Sequence, residues 1–457
     1  MFLRLSFFFL SASYACALWI PIRRQTTPVT AVIRNPQAVA NVNFSDVANE
    51  VYLATIHVNG RPYQVQVDSG SSDLWIDAKS NDLPGVHHTG QSSTTVYGDG
   101  TSAGGEIVLG NVTFGEFTVV NQALVLAPGS NATDDGIVQG ILGVGPYGGS
   151  MIQKKLNGTA YNGQNFLTNV FQLVPDESPF MTFLLSRTNT GVTEGGVLSI
   201  GELVSNLTHI TKAPKLPVLS PSGWVTASDG VLVNGKHYSA HTTPTKAGNR
   251  SIALIDTGTS VGTLPRAVID FMYKDISGAK WSEEDNTYKL PCQSKVNISL
   301  VFGGIAYPIH PIDAVLPDIG DNGVVTCMAA FEAADDGLML LGDTFMRNVY
   351  TLFNFGDTLT QREGDEPAHI QLLSITDPDQ AWSEYQQLNA KRIAELEYDK
   401  FAKEFQVASS TALSASATAS QYTLVRHNSK VATTAYATAT PTLQAAVQNP
   451  RRHYRVY

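Results

Sequence analysis

The amino-acid sequence predicts an all-β protein that is built from two similar lobes, and three observations support this fold class. Glycine is abundant, with 38 residues among 457, while charged residues make up only 15% of the chain, which suits a strand-rich globular protein. Alternating apolar and polar residues dominate from about residue 50 to residue 377. Each half of that region carries a hairpin, an Asp-Ser/Thr-Gly motif and an apolar-apolar-Gly motif in the same order, which indicates an internal duplication.

The first residues predict export. Residues 1–17 contain Arg4 and then an apolar run that ends in Ala-Cys-Ala, as a secretory signal peptide does. A membrane anchor is the alternative, but the run is shorter than a bilayer span requires. Residues 18–46 contain a dibasic pair at 23–24, several prolines and little apolar periodicity, and we interpret them as the pro-segment of a zymogen.

Two lobes follow, with predicted boundaries at 47–216 and 217–377. In the first lobe, ATIHVNGRPYQVQVD indicates two strands joined by the Asn-Gly pair at 59–60. In the second, DGVLVNGKHYSA uses the Asn-Gly pair at 234–235 in the same way. Asn-Gly is a strong hairpin signal because both residues tolerate positive φ.

Helical patterns are few. The segment PRAVIDFMYKDI at 265–276 begins with proline, which favours a first helical turn. The composition changes over residues 378–457, where DQAWSEYQQLNAKRIAELEYDKFAKEF is rich in helix formers and an Ala/Ser/Thr-rich tail follows it. We expect this C-terminal region to lie beyond the second lobe and to be dispensable for chemistry.

Cysteines and glycosylation sequons agree with secretion. Removal of the signal peptide removes Cys16 and leaves Cys292 and Cys327, and a lone pair in an oxidising compartment predicts one disulfide. Seven Asn-x-Ser/Thr sequons predict a glycoprotein. They begin at Asn43, Asn111, Asn131, Asn157, Asn206, Asn249 and Asn297.

Charge and composition narrow the range of partners. The net charge of −10 argues against nucleic acid or an anionic membrane surface. No segment after residue 17 is long and apolar enough to cross a bilayer, so no membrane anchor is expected. The ten histidines show no metal-binding spacing, and the pair at 87–88 is better explained as part of a loop. We expect a monomer without a metal or cofactor.

Two aspartates carry the strongest chemical signal. A lone Asp-Ser-Gly is usually a turn, but Asp68 and Asp256 each follow an apolar strand in duplicated surroundings. Pseudo-twofold packing of the lobes would bring the two carboxylates together, and neighbouring carboxylates share one proton because both cannot ionise easily. The ionised member can take a proton from water while the protonated member gives one to a substrate carbonyl.

Five motifs together are similar to those of a pepsin-like aspartic protease of the secreted fungal type. They are VDSGSSDLW, VYGDGTSAGG, GILGVG, LIDTGTS and LLGDTFMRNVYTLFNF, and the resemblance covers about residues 48–377. It implies a bilobal β fold with an active cleft between the lobes, and Asp68 and Asp256 as the catalytic pair. It also places Cys292 and Cys327 where the family has a second-lobe disulfide. A pair of carboxyl groups that share a proton is the general description of this protease class. The sequence indicates which two residues would form that pair.

The resemblance also implies supporting roles for neighbouring residues. Ser69 and Thr257 would lock the two loops together, and Ser71 and Thr259 would hydrogen-bond the carboxylates. Ser69 stands where the family more often has threonine, but a hydroxyl remains, so activity is expected. Gly258 and Thr259 would contact the substrate.

The segment YGDGTSAGG resembles the flap of the family, a hairpin that closes over the substrate. Tyr97 would stand over the cleft with Trp75 as its partner, although core packing alone also explains a tryptophan there. Gly98 and Asp99 would contact the substrate. Asp99 has two explanations: it accepts a lysine at the scissile position, or it is a turn residue between two glycines.

Two other motifs, one of serine hydrolases and one of dinucleotide-binding proteins, occur without the flanking structure that each requires. Residues 100–104 fit Gly-x-Ser-x-Gly, but a strand pattern follows instead of the helix that a serine-hydrolase elbow requires. Residues 143–148 fit the dinucleotide fingerprint, but they lack both the βαβ context and the acidic residue about 20 positions later.

We therefore interpret the chain as a secreted aspartic endopeptidase that hydrolyses polypeptides at acidic pH. A non-catalytic peptide-binding protein on the same fold is the main alternative, and the intact aspartates, hydroxyls and flap tyrosine argue against it. A cell-wall structural protein, suggested by the C-terminal tail, is a third hypothesis.

Overall fold

The structure, a computed structural model, describes residues 28–35, 41–47, 51–132, 137–174, 176–187, 192–239, 250–319, 324–334, 337–356 and 366–396. The predicted signal peptide, the first part of the predicted pro-segment and the Ala/Ser/Thr-rich tail lie outside the described residues. Strands dominate the described chain, as the sequence predicts.

The first half of the chain contains the strands β1 (Ala31–Arg34), β2 (Asn41–Val47), β3 (Val51–Val58), β4 (Arg61–Asp68), β5 (Leu74–Ile76), β6 (His87–Val96), β7 (Ser102–Phe114), β8 (Phe117–Leu126), β9 (Gly140–Gly143), β10 (Phe180–Leu185), β11 (Val192–Ile200) and β12 (Leu216–Pro217). The second half contains β13 (Val225–Ser228), β14 (Gly230–Val233), β15 (Lys236–Tyr238), β16 (Ser251–Ile255), β17 (Gly262–Leu264), β18 (Lys280–Ser282), β19 (Thr287–Leu290), β20 (Ile298–Phe302), β21 (Ile305–Ile309), β22 (Val315–Ile319), β23 (Val325–Ala329), β24 (Phe331–Ala333), β25 (Leu338–Leu341), β26 (Val349–Asn354) and β27 (His369–Ser374). The helices are α1 (Met151–Leu156), α2 (Phe166–Leu173), α3 (Arg266–Tyr273), α4 (Pro311–Ala314), α5 (Asp343–Met346) and α6, which covers 378–396.

One large sheet joins the two halves of the chain. Its strand order is β12-β27-β26-β10-β11-β2-β3-β4-β9-β5-β8-β7-β6, with β1 beside β8. Strands β26 and β27, from late in the chain, therefore lie beside strands of the first lobe. Among the described residues, the second lobe adds three smaller sheets, with the orders β13-β16-β25-β17-β24, β15-β14-β20-β21 and β18-β19-β23-β22.

Both predicted hairpins form. Strands β3 and β4 pair antiparallel around the turn at 59–60, and β14 and β15 pair around the turn at 234–235. All four turn residues have positive φ, between 48° and 81°. This is the turn geometry that matches the twist of two adjacent strands, and it explains why Asn-Gly predicts it.

The duplicated motifs occupy equivalent places in the two lobes. Strand β4, which ends at Asp68, lies parallel to β9, and β16, which precedes Asp256, lies parallel to β25. In both lobes a short strand then returns antiparallel to the apolar strand, β5 against β9 and β17 against β25. One detail differs between the lobes: the second hairpin lies in another sheet from β16, so it does not lead directly into Asp256.

Two local predictions for the second lobe are confirmed. The predicted helix at 265–276 is present as the shorter α3, which begins directly after Pro265. Cys292 and Cys327 form a disulfide with their Cα atoms 5.1 Å apart. The disulfide joins the loop after β19 to β23, and β19 itself pairs with β23 as a strand.

Two strands form inside the segment that the sequence indicates as a pro-segment. Strand β1 pairs with β8, and β2 pairs with both β3 and β11. Arg34, at the end of β1, forms ion pairs with the buried carboxylates of Glu116 (2.9 Å) and Glu177 (3.0 Å). A cut after residue 46 would therefore remove two strands from the large sheet. The boundary of the pro-segment stays a prediction.

Helix α6 packs on the second lobe. Asp377 caps its first turn by accepting hydrogen bonds from two backbone N–H groups. Tyr385 is buried and donates to the carbonyl of Ser294 (2.5 Å), and Arg392 is buried and donates to the carbonyl of Ile312 (2.7 Å). The helix is where the sequence predicts one. Its polar side chains satisfy carbonyl groups of the second lobe, and the boundary after residue 377 stays a prediction.

Two absences hold for the described part of the chain. None of its helices is both long and apolar enough to cross a membrane. Within the same ranges, no group of three or more His, Cys, Asp or Glu side chains is arranged to hold a metal ion.

Candidate active site

Strand β4 ends on Asp68, whose side chain is fully buried. Its Oδ1 accepts a hydrogen bond from the Gly70 N–H (2.8 Å), and its Oδ2 accepts one from the Ser71 hydroxyl. Val65 and Val67, on the other face of the strand, lie in the core as the alternation predicts. The strand thus delivers a carboxylate into a loop whose own donors hold it.

Asp256 is held in the same way in the second lobe. It is fully buried, and its Oδ1 accepts a hydrogen bond from the Gly258 N–H (2.8 Å). Its Oδ2 accepts one from the Thr259 hydroxyl (2.8 Å). The backbone N–H of Asp256 donates to the Leu341 carbonyl (3.0 Å), which fixes the loop to β25. The two carboxylates therefore have equivalent donors, one backbone N–H and one hydroxyl each.

Ser69 and Thr257 connect the two loops. The Ser69 N–H donates to Thr257 Oγ1 (2.9 Å), and the Thr257 N–H donates to Ser69 Oγ (3.0 Å). Each hydroxyl also donates to a carbonyl of the opposite strand, Ser69 to Ile255 (3.0 Å) and Thr257 to Val67 (2.7 Å). Ser69 and Thr257 thus make the same pair of bonds, so serine in place of threonine leaves the connection intact.

Gly70 shows how closely the loops approach each other. A Cβ atom built on Gly70 would lie 2.4 Å from Oδ1 and 2.7 Å from Oδ2 of Asp256, far inside van der Waals contact. The loop that holds Asp68 therefore needs glycine here to lie against the Asp256 carboxylate. The structure brings the two predicted aspartates to one seam between the lobes.

The surroundings of Asp256 disfavour its charged form. Burial, and then the charge of Asp68, raise the pKa of Asp256 well above its usual range. A hydrogen bond between the two carboxyl groups also raises the pKa of Asp256, whereas the bonds from Gly258 and Thr259 lower it because they stabilise the charged form. The arrangement therefore favours one proton shared by the pair.

Strands β6 and β7 form the hairpin that the sequence predicts as a flap, and its tip covers residues 97–101. Tyr97 is buried, and its hydroxyl accepts a hydrogen bond from Trp75 Nε1 (2.6 Å). This bond ties the flap to β5, the short strand that follows the Asp68 loop. Trp75 also packs in an apolar cluster of the first lobe, so it has the packing role as well as the contact with the tyrosine.

Asp99 stabilises the turn of the flap. Its Oδ1 accepts hydrogen bonds from the Thr101 N–H (2.8 Å) and the Thr101 hydroxyl (2.6 Å). Gly100 has a φ of 80°, as the turn requires. The turn role that the sequence allowed is therefore present, while lysine recognition by the partly exposed Asp99 stays a prediction.

Sequence reasoning missed Gln66. The alternation along β4 groups it with Gln64 on a polar face, but Gln66 is 2% exposed whereas Gln64 is exposed. Its Nε2 donates to the carbonyl of Gly258 (3.1 Å), which belongs to the loop of the other lobe. The burial comes from a segment 192 residues away, so no local pattern could indicate it.

Sequence reasoning also assigned no role to Asp73. Its carboxylate accepts hydrogen bonds from the Ser150 hydroxyl and from the N–H groups of Met151 (2.8 Å) and Ile152 (3.1 Å). These donors stand at the start of α1, so the side chain fixes the loop after Asp68 to a helix. Burial raises the pKa of Asp73. Its place in the motif VDSGSSDLW was the only sequence signal.

Comparisons with known proteins identify the family and the fold. A family model described as eukaryotic aspartyl protease matches residues 51–361. An aspartic protease of Phaffia rhodozyma is 28% identical over 339 residues, which cover 70% of this chain and 77% of that protein. Endothiapepsin of Cryphonectria parasitica is 26% identical over 340 residues, covering 69% and 75%. The crystal structure of the aspartic proteinase from Irpex lacteus superposes with a TM-score of 0.57 at 18% identity, over 75% of this chain and 99% of its own, which confirms the bilobal pepsin-like fold.

Proposed function

Because the chain belongs to the eukaryotic aspartyl protease family and is an aspartic-type endopeptidase, we propose that Asp68 and Asp256 are its catalytic pair. The observation that carries this proposal is the matched support of the two carboxylates. Each accepts one backbone N–H and one hydroxyl, and Gly70 brings the first loop against the second carboxylate. Two buried carboxyl groups at such close range share a proton and can work as base and acid together.

In the proposed reaction, a water molecule lies between the pair and the scissile carbonyl group. Asp68, as the carboxylate, takes a proton from the water as the water oxygen attacks the carbonyl carbon, while Asp256 gives its proton to the carbonyl oxygen. The resulting diol breaks down when Asp68 gives a proton to the amide nitrogen, the C–N bond breaks, and Asp256 regains a proton from the diol. The pair ends with one proton, as it began, and the raised pKa of Asp256 supports its role as the initial acid.

We assign substrate contacts to the flap and to the second loop. The Trp75–Tyr97 hydrogen bond supports this, because it holds the flap tyrosine beside the strand that follows Asp68. The residues assigned to substrate contact are Tyr97, Gly98, Asp99, Gly258 and Thr259. The substrates are extended polypeptides, since the protease family implies peptide substrates.

Secretion as a monomeric zymogen and activity at acidic pH complete the proposal. The disulfide supports an oxidising compartment, and a pair that shares one proton favours acid conditions. Sequon asparagines are exposed where the structure describes their side chains, which supports glycosylation. These are Asn111, Asn131, Asn157, Asn206 and Asn297, while Asn249 lies outside the described residues.

The test is digestion of casein or haemoglobin at about pH 3–5, the range that the shared proton favours, with and without pepstatin. We expect cleavage that pepstatin abolishes, because a transition-state analogue binds the assembled pair far more tightly than a substrate does. Binding of the same peptides without cleavage would instead favour the peptide-binding alternative. Cleavage that is insensitive to pepstatin would contradict the proposed pair.

Asp99 is expected to favour substrates with lysine before the cut, because a carboxylate at the flap tip attracts an ammonium group. The change is Asp99→Asn, which keeps an oxygen for the two Thr101 hydrogen bonds and removes only the charge. We expect kcat/KM to fall about ten- to a hundredfold on a lysine peptide, the range of a partly desolvated charged contact.

The control is the matched leucine peptide, on which Asp99→Asn should change kcat/KM little. An equal effect on both peptides, or none on either, would reduce Asp99 to a turn residue.

A further inference from the structure

A buried amide joins the two halves of the proposed catalytic pair. Gln66 lies two residues before Asp68 on β4, so the two side chains point to the same face of the strand. Its Nε2 crosses the seam between the lobes and donates a hydrogen bond to the Gly258 carbonyl (3.1 Å). Gly258 is the residue whose N–H holds Asp256 Oδ1 (2.8 Å). The Gln66 amide, on the strand that carries Asp68, therefore holds the residue that hydrogen-bonds Asp256.

This hydrogen bond breaks the symmetry of the site. The paired residues described above have equivalents in both halves, since Ser69 corresponds to Thr257 and Ser71 to Thr259. The residue two positions before Asp256 is Leu254, whose side chain is apolar and cannot donate a hydrogen bond. Position 254 therefore supplies no side-chain donor that corresponds to the amide of Gln66.

We propose that Gln66 is a positioning residue for peptide hydrolysis, which fixes the Gly258 segment and thereby the orientation of the Asp256 carboxyl group. The inference rests on the proposed catalytic pair. A buried peptide carbonyl needs a donor, and a loop without that donor turns toward another one. A small rotation of the Gly258 segment moves the acid relative to the base, and catalysis depends steeply on such alignment.

Two substitutions test the hydrogen bond itself. Gln66→Leu has a similar volume and removes the donor at every pH. Gln66→Glu keeps a donor only while its carboxyl group is protonated, so it can hold the Gly258 carbonyl in acid and loses it on ionisation. Gln64→Leu is the matched control, because Gln64 lies on the same strand and the same side but is exposed.

We expect Gln66→Leu to lower kcat about tenfold across the pH range, the size of one lost hydrogen bond, with a smaller change in KM. Gln66→Glu should approach the parental kcat at low pH and fall toward the Leu variant as pH rises. Gln64→Leu should match the parent. Thermal unfolding, measured at each pH, separates lost activity from lost structure. If Gln66→Leu does not fold, the pH profile of Gln66→Glu still decides.

A parental kcat and pH profile in Gln66→Leu would overturn the inference, and so would a Gln66→Glu profile that is parallel to the parent or to the Leu variant at all pH values. Loss of activity that follows thermal unfolding alone would make Gln66 a structural residue only, which also overturns it. Asp68→Asn, measured beside these variants, distinguishes the two levels of the argument. If Asp68→Asn remains active, the catalytic pair is wrong; if it is inactive while Gln66→Leu is unaffected, only the role of Gln66 is wrong.

Discussion

Asp256→Asn is expected to lower kcat by about 10³- to 10⁴-fold, near the upper end of what a general acid contributes. The amide keeps the size of the side chain and an oxygen that accepts the hydrogen bond from the Gly258 N–H. Its NH₂ group takes the place of the oxygen that accepts from the Thr259 hydroxyl, and that hydroxyl can accept a hydrogen bond instead. The amide cannot carry the shared proton, so the substrate carbonyl is no longer protonated during attack. Asp68→Asn should cause a loss of similar size, because the water then has no base.

Peptide cleavage at about pH 4, within the acid range that the shared proton favours, measures both effects. Asp82→Asn is the matched control, since this aspartate is exposed and lies outside the seam between the lobes. Each variant should unfold at a temperature close to that of the parent, or higher, because the amide removes one of two buried carboxyl groups that cannot both ionise at such close range. If either Asp68→Asn or Asp256→Asn cleaves as fast as the parent, the proposed mechanism is wrong.

Asp313→Asn is expected to cost about 3–5 kcal/mol of unfolding free energy, the usual effect of removing one partner from a buried ion pair. Asp313 is buried and accepts hydrogen bonds from Arg187 Nε (2.7 Å), Arg347 Nε (3.1 Å) and Asn348 Nδ2 (3.0 Å). Arg347 is only 2% exposed, so its charge would stay buried without the Asp313 carboxylate that it contacts at 3.1 Å. Asp313 thereby connects α4 to the segment after β10, which contains Arg187, and to the segment after α5, which contains Arg347 and Asn348.

The pH dependence of this effect has a definite sign. Burial alone would raise the pKa of Asp313, but Arg187 and Arg347 outweigh it and lower the pKa to about 2. An unfolded aspartate titrates near about 3.9. The stabilisation is therefore complete above about pH 4 and is lost as pH falls toward 2. The ion pair thus persists at the pH where the enzyme is proposed to work.

Chemical denaturation of the parent and of Asp313→Asn gives the difference between their unfolding free energies. It is measured at about pH 6, 4 and 2, values chosen around the pKa of an aspartate in an unfolded chain. This free-energy difference should stay constant between about pH 6 and 4 and become smaller at about pH 2. Lys391→Gln is the control, because its ion pair with Glu395 is exposed and a pair of this kind contributes only about 0.3–0.5 kcal/mol. A difference that is independent of pH would mean that Asp313 acts through shape rather than charge.

Short-range chemistry accounts for what the sequence predicted. The Asn-Gly turns at 59–60 and 234–235 need two residues with positive φ, and nothing distant competes with that requirement. Asp68 and Asp256 could be paired because each motif contains its own donors within three residues, and because the motif occurs twice.

The features that the sequence did not reveal depend on partners far along the chain. Gln66 looks like a surface residue until a segment 192 positions later covers it. Arg34 lies in a stretch without apolar periodicity, yet it forms ion pairs with two buried glutamates of the first lobe. Arg187 and Asp313 come from different lobes. No window of neighbouring residues contains these contacts, so no local pattern could predict them.

The order of strands in the large sheet has a consequence for biosynthesis. Strand β10 lies between β11, which follows it at once, and β26, which the ribosome adds more than 160 residues later. A nascent chain that has completed the first lobe therefore presents β10 as an open edge, with unpaired N–H and carbonyl groups. Such an edge invites pairing with other chains, and contacts of this sequence separation form slowly. Engagement by chaperones should be greatest while the second lobe is being translated, and it should end only when β26 and β27 have emerged to cover that edge.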